Sequence, residues 1–185
     1  MRRLLDGLYQ ASLIASACFI VAICAVVIGQ VMLNLIDRLA SIFFGGAIGL
    51  TIPSYADFTG FFLAAASFLA LAGTLRDGGH IRVSLLTGAL PEKIRKIFEL
   101  WCVLLALLIT TYACWYMYDL VHESWKYSDL SPGMIAVPLW IPQLSLTAGL
   151  SVLAIALLDE FICLLGGAKA SWHGKGENLL DGNEG

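Results

Sequence analysis

Four long apolar runs alternate with shorter polar segments along this chain. The runs cover about residues 8–33, 55–75, 97–118 and 141–165. Each is long enough for a helix to cross the hydrocarbon core of a bilayer, which needs roughly 20 apolar residues. The pattern therefore predicts an all-α, polytopic membrane protein. Its four transmembrane helices would form a single domain over residues 1–167.

Composition agrees with this class. The chain has 185 residues, of which 59% are hydrophobic and 14% are charged. Soluble domains carry roughly 45–50% apolar and about 25% charged residues. So much apolar surface needs lipid to cover it. The net charge of −3 is small, which does not favour a nucleic-acid partner.

The segment between the first two runs, residues 34–57, allows two interpretations. It contains Asp37-Arg38 and about ten apolar residues, and it is broken by Gly45-Gly46 and then by a proline. Because this apolar part is too short to span a membrane, it could form a short helix in the membrane interface. Alternatively, helix 1 continues, long and tilted, to about Arg38.

Basic residues predict the orientation in the membrane. Nine of them lie before run 1, between runs 2 and 3, or after run 4: Arg2, Arg3, Arg76, Arg82, Lys93, Arg95, Lys96, Lys169 and Lys175. The other two connectors carry only Arg38 and Lys126. By the positive-inside rule both termini are cytoplasmic, and the connectors 34–54 and 122–139 face outward. The polar, glycine-rich tail, residues 168–185, is expected to be disordered in the cytoplasm.

The apolar runs lack the residues that several chemistries need. Five acidic residues fall near the ends of runs rather than in the middle: Asp57, Glu99, Asp119, Asp159 and Glu160. A proton-coupled pump usually carries an ionisable residue at membrane depth. All three histidines lie in polar segments, so no facing pair could hold a haem. The five cysteines form no CxxC pair and read as packing residues. We therefore expect no enzyme activity, and no catalytic, substrate, metal or cofactor site in this chain.

What remains is a four-helix membrane module that packs against something else. One hypothesis is a subunit of a transport complex. A second is a membrane anchoring or assembly subunit of another complex. A third is a small self-associating channel, which is disfavoured because no run shows a continuous polar face.

Two segments carry a family resemblance. His80-Ile81-Arg82-Val83 is followed by Leu90-Pro91, and Pro138-Leu139-Trp140 opens the fourth run. In order and spacing they resemble the small membrane subunit, of the DctQ type, of tripartite ATP-independent periplasmic (TRAP) transporters. Ser84 departs from the family pattern, which often has Asp there. The resemblance extends over about residues 8–165.

The resemblance implies a role. In such transporters a large membrane subunit carries the substrate and the coupling sodium and moves in an elevator fashion. A periplasmic solute-binding protein delivers the substrate, usually an organic acid, through transient contact. The small subunit lies in the bacterial inner membrane and braces the static scaffold of the large one. Sodium is thus expected on the large subunit, and this chain would need no cofactor of its own.

Three groups of residues are candidate contacts. The first could bind lipid head groups or acidic groups of the large subunit: Arg76, His80 and Arg82. The second could form an outward docking loop for the binding protein: Glu123, Lys126 and Asp129. For both groups the alternative is that they are simply solvated charges. The third would anchor the helices at the membrane surface: Trp115, Trp125 and Trp140.

Overall fold

A computed structural model describes residues 2–46, 48–77 and 91–166. Within them the chain forms four α-helices: α1 (Arg2–Phe44), α2 (Tyr55–Arg76), α3 (Glu92–Tyr127) and α4 (Trp140–Leu165). All four are long and apolar enough to cross a membrane. The prediction of an all-α protein with four spanning helices is confirmed. The expected disordered tail lies outside the described residues.

The four helices lie side by side in a row, in the order α1, α2, α4, α3. Extensive contacts join α1 to α2, α2 to α4, and α4 to α3, whereas α1 and α4 touch at only a few positions. A closed four-helix bundle would give every helix two full neighbours. Here the outer helices, α1 and α3, are each covered along one side only. We call the end with residues 48–54 and 128–139 the loop end, and the opposite end the termini end.

The α1 helix settles the ambiguity over residues 34–57. It continues without interruption to Phe44, so the short interfacial helix is not formed and that interpretation is wrong. The physical reason is that residues 34–44 contain neither glycine nor proline, so nothing breaks the helical hydrogen bonds. The helix stops at Gly45, whose φ of 73° is a left-handed conformation typical of helix ends. The long-helix alternative holds, and α1 runs further than Arg38.

Hydroxyl groups join α1 to α2 inside the apolar region. Ser12 Oγ donates a hydrogen bond to the Leu69 carbonyl at 2.5 Å, and Ser16 Oγ donates to the Ala66 carbonyl at 2.7 Å. Both serines are buried. Hydrogen bonds between helices are typical of membrane proteins, because lipid offers the hydroxyl no other partner.

A glycine sets the contact between α2 and α4. A Cβ placed on Gly149 would lie 2.5 Å from the backbone carbonyl carbon of Phe68. The two helix backbones therefore approach each other as closely as glycine allows. From this point towards the ends of both helices, small and medium apolar residues fill the interface, including the buried Ala72 and Ala156.

The α3–α4 interface combines apolar packing with one polar contact. Val103 of α3 packs into the same buried cluster as Ala156 and Leu157 of α4. Nearer the loop end, Cys114 Sγ lies 3.3 Å from Ser151 Oγ. The fold is thus held by three pairwise interfaces, each with its own chemistry.

Candidate interaction surfaces

A compact hairpin loop connects α3 to α4 at the loop end. Leu130 and Pro138 form an isolated antiparallel bridge at its base. Ser131, which is buried, organises the interior. Its N–H donates to the Val137 carbonyl at 2.9 Å, and its Oγ accepts from the Val137 N–H at 3.0 Å. Because its backbone groups are paired internally, this loop has a defined shape that a partner could recognise.

The hairpin loop docks on the start of α2. The Ile135 N–H donates to Ser54 Oγ at 2.9 Å. Gly133 lies against Ser54 and the carboxylate of Asp57, so closely that a Cβ there would overlap both side chains. The two connectors at the loop end therefore form one continuous surface.

The predicted docking residues lie together beside this surface. Glu123 and Lys126 occupy the last turns of α3, and Asp129 follows directly after that helix. All three are exposed. The Lys126 ammonium lies 5.4 Å from the ring centroid of Tyr127, within reach of a cation–π contact.

The three predicted tryptophan anchors fall at two levels of the row. Trp125 and Trp140 both lie close to the base of the hairpin loop. Trp115 lies about 15 Å from Trp125 along the axis of α3. A single membrane surface can therefore hold Trp125 and Trp140 together, while the exposed ring of Trp115 reaches a different depth.

At the termini end Arg76 already has partners within the chain. Its guanidinium forms an ion pair with Asp6 of α1 and lies 5.0 Å from the ring centroid of Tyr9. These contacts fix the last turn of α2 to the start of α1, beside an open cleft of about 500 Å³. His80 and Arg82, which the sequence groups with Arg76, lie outside the described residues.

One polar site was not predicted from the sequence: a set of hydrogen bonds made by the side chain of Gln30 on α1, which we call the clasp. Gln30 is buried, and its Oε1 accepts the Ile52 N–H at 2.8 Å while its Nε2 donates to Asn34 Oδ1 and Thr51 Oγ1 at 2.9 and 3.2 Å. Asp37 accepts two further backbone N–H groups from the same connector. A sequence signal for this site was present, because a glutamine deep inside a long apolar run is expensive in lipid unless it has hydrogen-bond partners.

Among residues 2–46, 48–77 and 91–166 there is no group of three or more His, Cys, Asp or Glu that could hold a metal ion. The five cysteines, which all lie within these residues, form no disulfide bond. The prominent features are instead apolar flanks along the two outer helices. On α3 the exposed flank is rich in aromatic side chains, and Tyr112 and Tyr116 lie with ring centroids 4.7 Å apart.

Four spanning helices in an open row, with bare flanks and a shaped loop surface, define a multi-pass membrane protein suited to contacts with other proteins. The chain belongs to the family described as tripartite ATP-independent periplasmic transporters, DctQ component, whose sequence model matches residues 39–167. A comparison with curated proteins found no match. The resemblance drawn from His80–Val83 and the later motifs is confirmed, and the chain is a membrane component of a TRAP transporter.

Proposed function

We propose that this chain is the non-catalytic small subunit of a sodium-coupled, binding-protein-dependent secondary transporter in the bacterial inner membrane. The transporter imports an organic acid or a similar small solute. The chain braces the scaffold of the large membrane subunit, which binds both the solute and the sodium. It needs no cofactor itself.

The open row of helices is the observation that carries this proposal. The central helices α2 and α4 are covered on both sides, whereas α1 and α3 each keep an apolar flank bare. Such a row of helices can pack against another membrane protein along the whole length of an outer helix. Hydrogen bonds and close glycine contacts between its helices make it stiff, as a brace against a sliding domain must be.

The distribution of polar groups supports assigning transport to the other subunit. The sequence has no ionisable residue near the middle of any span. Ser12, Ser16 and Gln30, which are buried inside the row, hydrogen-bond to other parts of this chain. They act as structural ties and are not free to bind a solute.

The exposed charges at the loop end suit a transient partner. Glu123, Lys126 and Asp129, beside the hairpin loop, would contact the periplasmic solute-binding protein. Charges at the rim of an interface act mainly on the association rate.

Replacing all three by alanine should raise the binding-protein concentration for half-maximal uptake several-fold, with little change in uptake at saturation. A matched change at the other end of α3, Arg95→Ala with Glu99→Ala, should leave that concentration unchanged. If both variants behave like the wild type, the docking assignment is wrong.

At the termini end the basic residues would contact lipid or the large subunit. Arg76 is held by Asp6, so Arg82 and His80 are the better candidates for anionic head groups or acidic side chains. Trp125 and Trp140 would anchor the row at one membrane surface, with Trp115 at a different depth. Lipid analysis of the purified Arg82→Ala complex checks the first assignment, since retention of the same anionic lipid would exclude it.

Uptake by the reconstituted transporter, with and without this chain, tests the proposed function. We expect solute uptake driven by a sodium gradient to require the chain. Uptake of equal rate and extent from the large subunit and binding protein alone would contradict the proposal.

A further inference from the structure

The helix α1 is longer than the hydrocarbon core of a bilayer. Its stretch Leu4–Phe43 has 40 residues, which corresponds to about 60 Å of helix. The hydrocarbon core is about 30 Å thick. Even at a tilt of about 40°, the upper end of the usual range, roughly 40 Å of helix would fit within the core. About 20 Å of α1 therefore lies outside the hydrocarbon core.

The excess length lies at the loop end. At the termini end α1 and α2 finish together, because Asp6 and Tyr9 contact Arg76. Towards the loop end Gln30 is already level with Ile52, just before α2 begins. Residues 31–44 of α1, which we call the arm, run alongside the connector rather than beside another helix. Large apolar side chains of the arm are exposed: Val31, Met32, Leu35, Ile36, Leu39, Ile42 and Phe43.

One line of exposed residues continues from the membrane span into the arm. Every seventh residue on one side of α1 is a large aliphatic one, and each is between 49% and 69% exposed. We call this line the α1 seam: Ile14, Val21, Ile28, Leu35 and Ile42. A second seven-residue line, which includes Tyr9, Ser16 and Gln30, faces α2 and its connector and is buried. Repeats of seven residues are the spacing at which helices pack on each other, and contact with lipid imposes no such period.

Small residues border the α1 seam where it crosses the membrane. Ala17, Cys18, Cys24 and Ala25 are all exposed and lie three or four residues from a seam position. Small side chains let a second helix approach closely within a membrane. The seam thus has both the period and the borders of a helix-binding surface.

We propose that the α1 seam, including the arm, binds a helix of the large membrane subunit that continues beyond the membrane surface. This inference rests on the proposed function and names the contact that it requires. The arm extends beyond the hydrocarbon core, and its exposed large apolar side chains favour a protein occupant. Arg38 lies three residues after the seam position Leu35 and is exposed. A parallel second copy of this chain would bring two Arg38 side chains together, which is unfavourable. The partner helix instead presents an acidic or carbonyl group at that level.

Photo-crosslinking in the membrane complex tests this contact. A benzoyl-phenylalanine probe is placed at Leu35 or Ile42 on the seam, and in matched controls at Ile36 or Ser41. The control positions are exposed on the same arm but point roughly 100° away. We expect a product with the large subunit that is at least about fivefold stronger from the seam positions, since the probe reacts only with contacting atoms. A product with the mass of two copies of this chain, or equal yields from all four positions, would overturn the proposal.

Charge substitutions give a second measurement. Leu35→Asp combined with Ile42→Asp should reduce the copurifying large subunit about tenfold or more. Asn34→Asp combined with Ser41→Asp should leave it unchanged. Both variants should insert into the membrane at wild-type levels, because the arm lies outside the hydrocarbon. Poor insertion of the seam variant alone would indicate that lipid covers the arm, and this would overturn the proposal. If the large subunit copurifies equally with both variants, the assignment of the α1 seam as the contact is wrong and the proposed function stands. If the large subunit does not copurify with the wild-type chain, the proposed function fails as well.

Discussion

Replacing Gly149 by alanine is expected to destabilise the assembled row by about 1–3 kcal/mol. The added Cβ would lie 2.5 Å from the carbonyl carbon and 2.6 Å from the carbonyl oxygen of Phe68. Those atoms belong to the α2 backbone and cannot rotate away like the end of a side chain. The two central helices must therefore separate, and packing is lost along their whole interface. In thermal unfolding of the purified complex we expect the midpoint to fall by roughly 3–10 °C.

The same substitution at Gly60 provides the matched control. Gly60 also lies within a spanning helix, but no atom lies within 4 Å of a Cβ built on it. Gly60→Ala should be neutral, or more stable by about 0.5–1 kcal/mol, because alanine loses less backbone freedom on folding. An equal midpoint for both variants would show that the close approach of α2 and α4 at Phe68 is not needed for stability.

Replacing Gln30 by leucine is expected to release the connector between α1 and α2. Leucine has a similar volume but no acceptor for the Ile52 N–H, which now receives a 2.8 Å hydrogen bond. An unsatisfied N–H costs about 1–3 kcal/mol when fully buried, and less here because this bond is part-buried. We expect the amides of residues 48–54 to exchange hydrogen for deuterium several-fold, up to about tenfold, faster, since each ~1.4 kcal/mol is a factor of ten. Exchange in the centre of α2 should not change, because local opening leaves the row intact.

Gln10→Leu is the control for this experiment. Gln10 is on the same helix, but it is exposed and lies at the opposite end. Its replacement should leave exchange in residues 48–54 at the wild-type rate. If Gln30→Leu also leaves that rate unchanged, the connector is held by contacts other than the clasp, such as those to Asp37.

The spans were predictable because lipid imposes a simple demand on sequence. A helix that crosses a bilayer needs a long apolar run, and the four runs correspond to the four helices. The end of α1 was predictable in principle from Gly45, the first glycine after Asp37. The two interpretations stayed open because Asp37-Arg38 suggests a membrane boundary. In the structure Asp37 instead binds the backbone N–H groups of Ile48 and Gly49.

The order of the helices was not predictable from composition. In a soluble protein the polar side of a helix marks its exposed face. In lipid both the packed and the exposed faces are apolar, so the sequence does not say that α4 lies between α2 and α3. The sequence does not distinguish Gly60 from Gly149. In the structure a Cβ on Gly60 would face open space, whereas a Cβ on Gly149 would meet the backbone of α2. Likewise the hydrogen bonds from Ser12 and Ser16 of α1 to α2 could not be predicted, because they depend on which carbonyl groups the fold brings near these serines.

The candidate surfaces were predictable in part. The family motifs around Arg82 and Trp140 led to the correct family, and the exposed charges near Glu123 do lie together at one end of the row. The α1 seam was visible as a seven-residue period. It became meaningful only when the structure showed that the opposite line of α1 is already covered by α2. A surface for a partner is defined by what the chain leaves bare, and this requires the fold.

The central claim is that transport depends on this chain although the chain binds no solute. Its most direct measurement is sodium-driven uptake into liposomes that contain the large subunit, with the binding protein added outside. Liposomes with and without this chain should hold equal amounts of large subunit, and collapse of the sodium gradient gives the background. We predict uptake well above background only when the chain is present, and no solute binding to the purified chain alone. Equal sodium-driven uptake in both preparations would contradict the account.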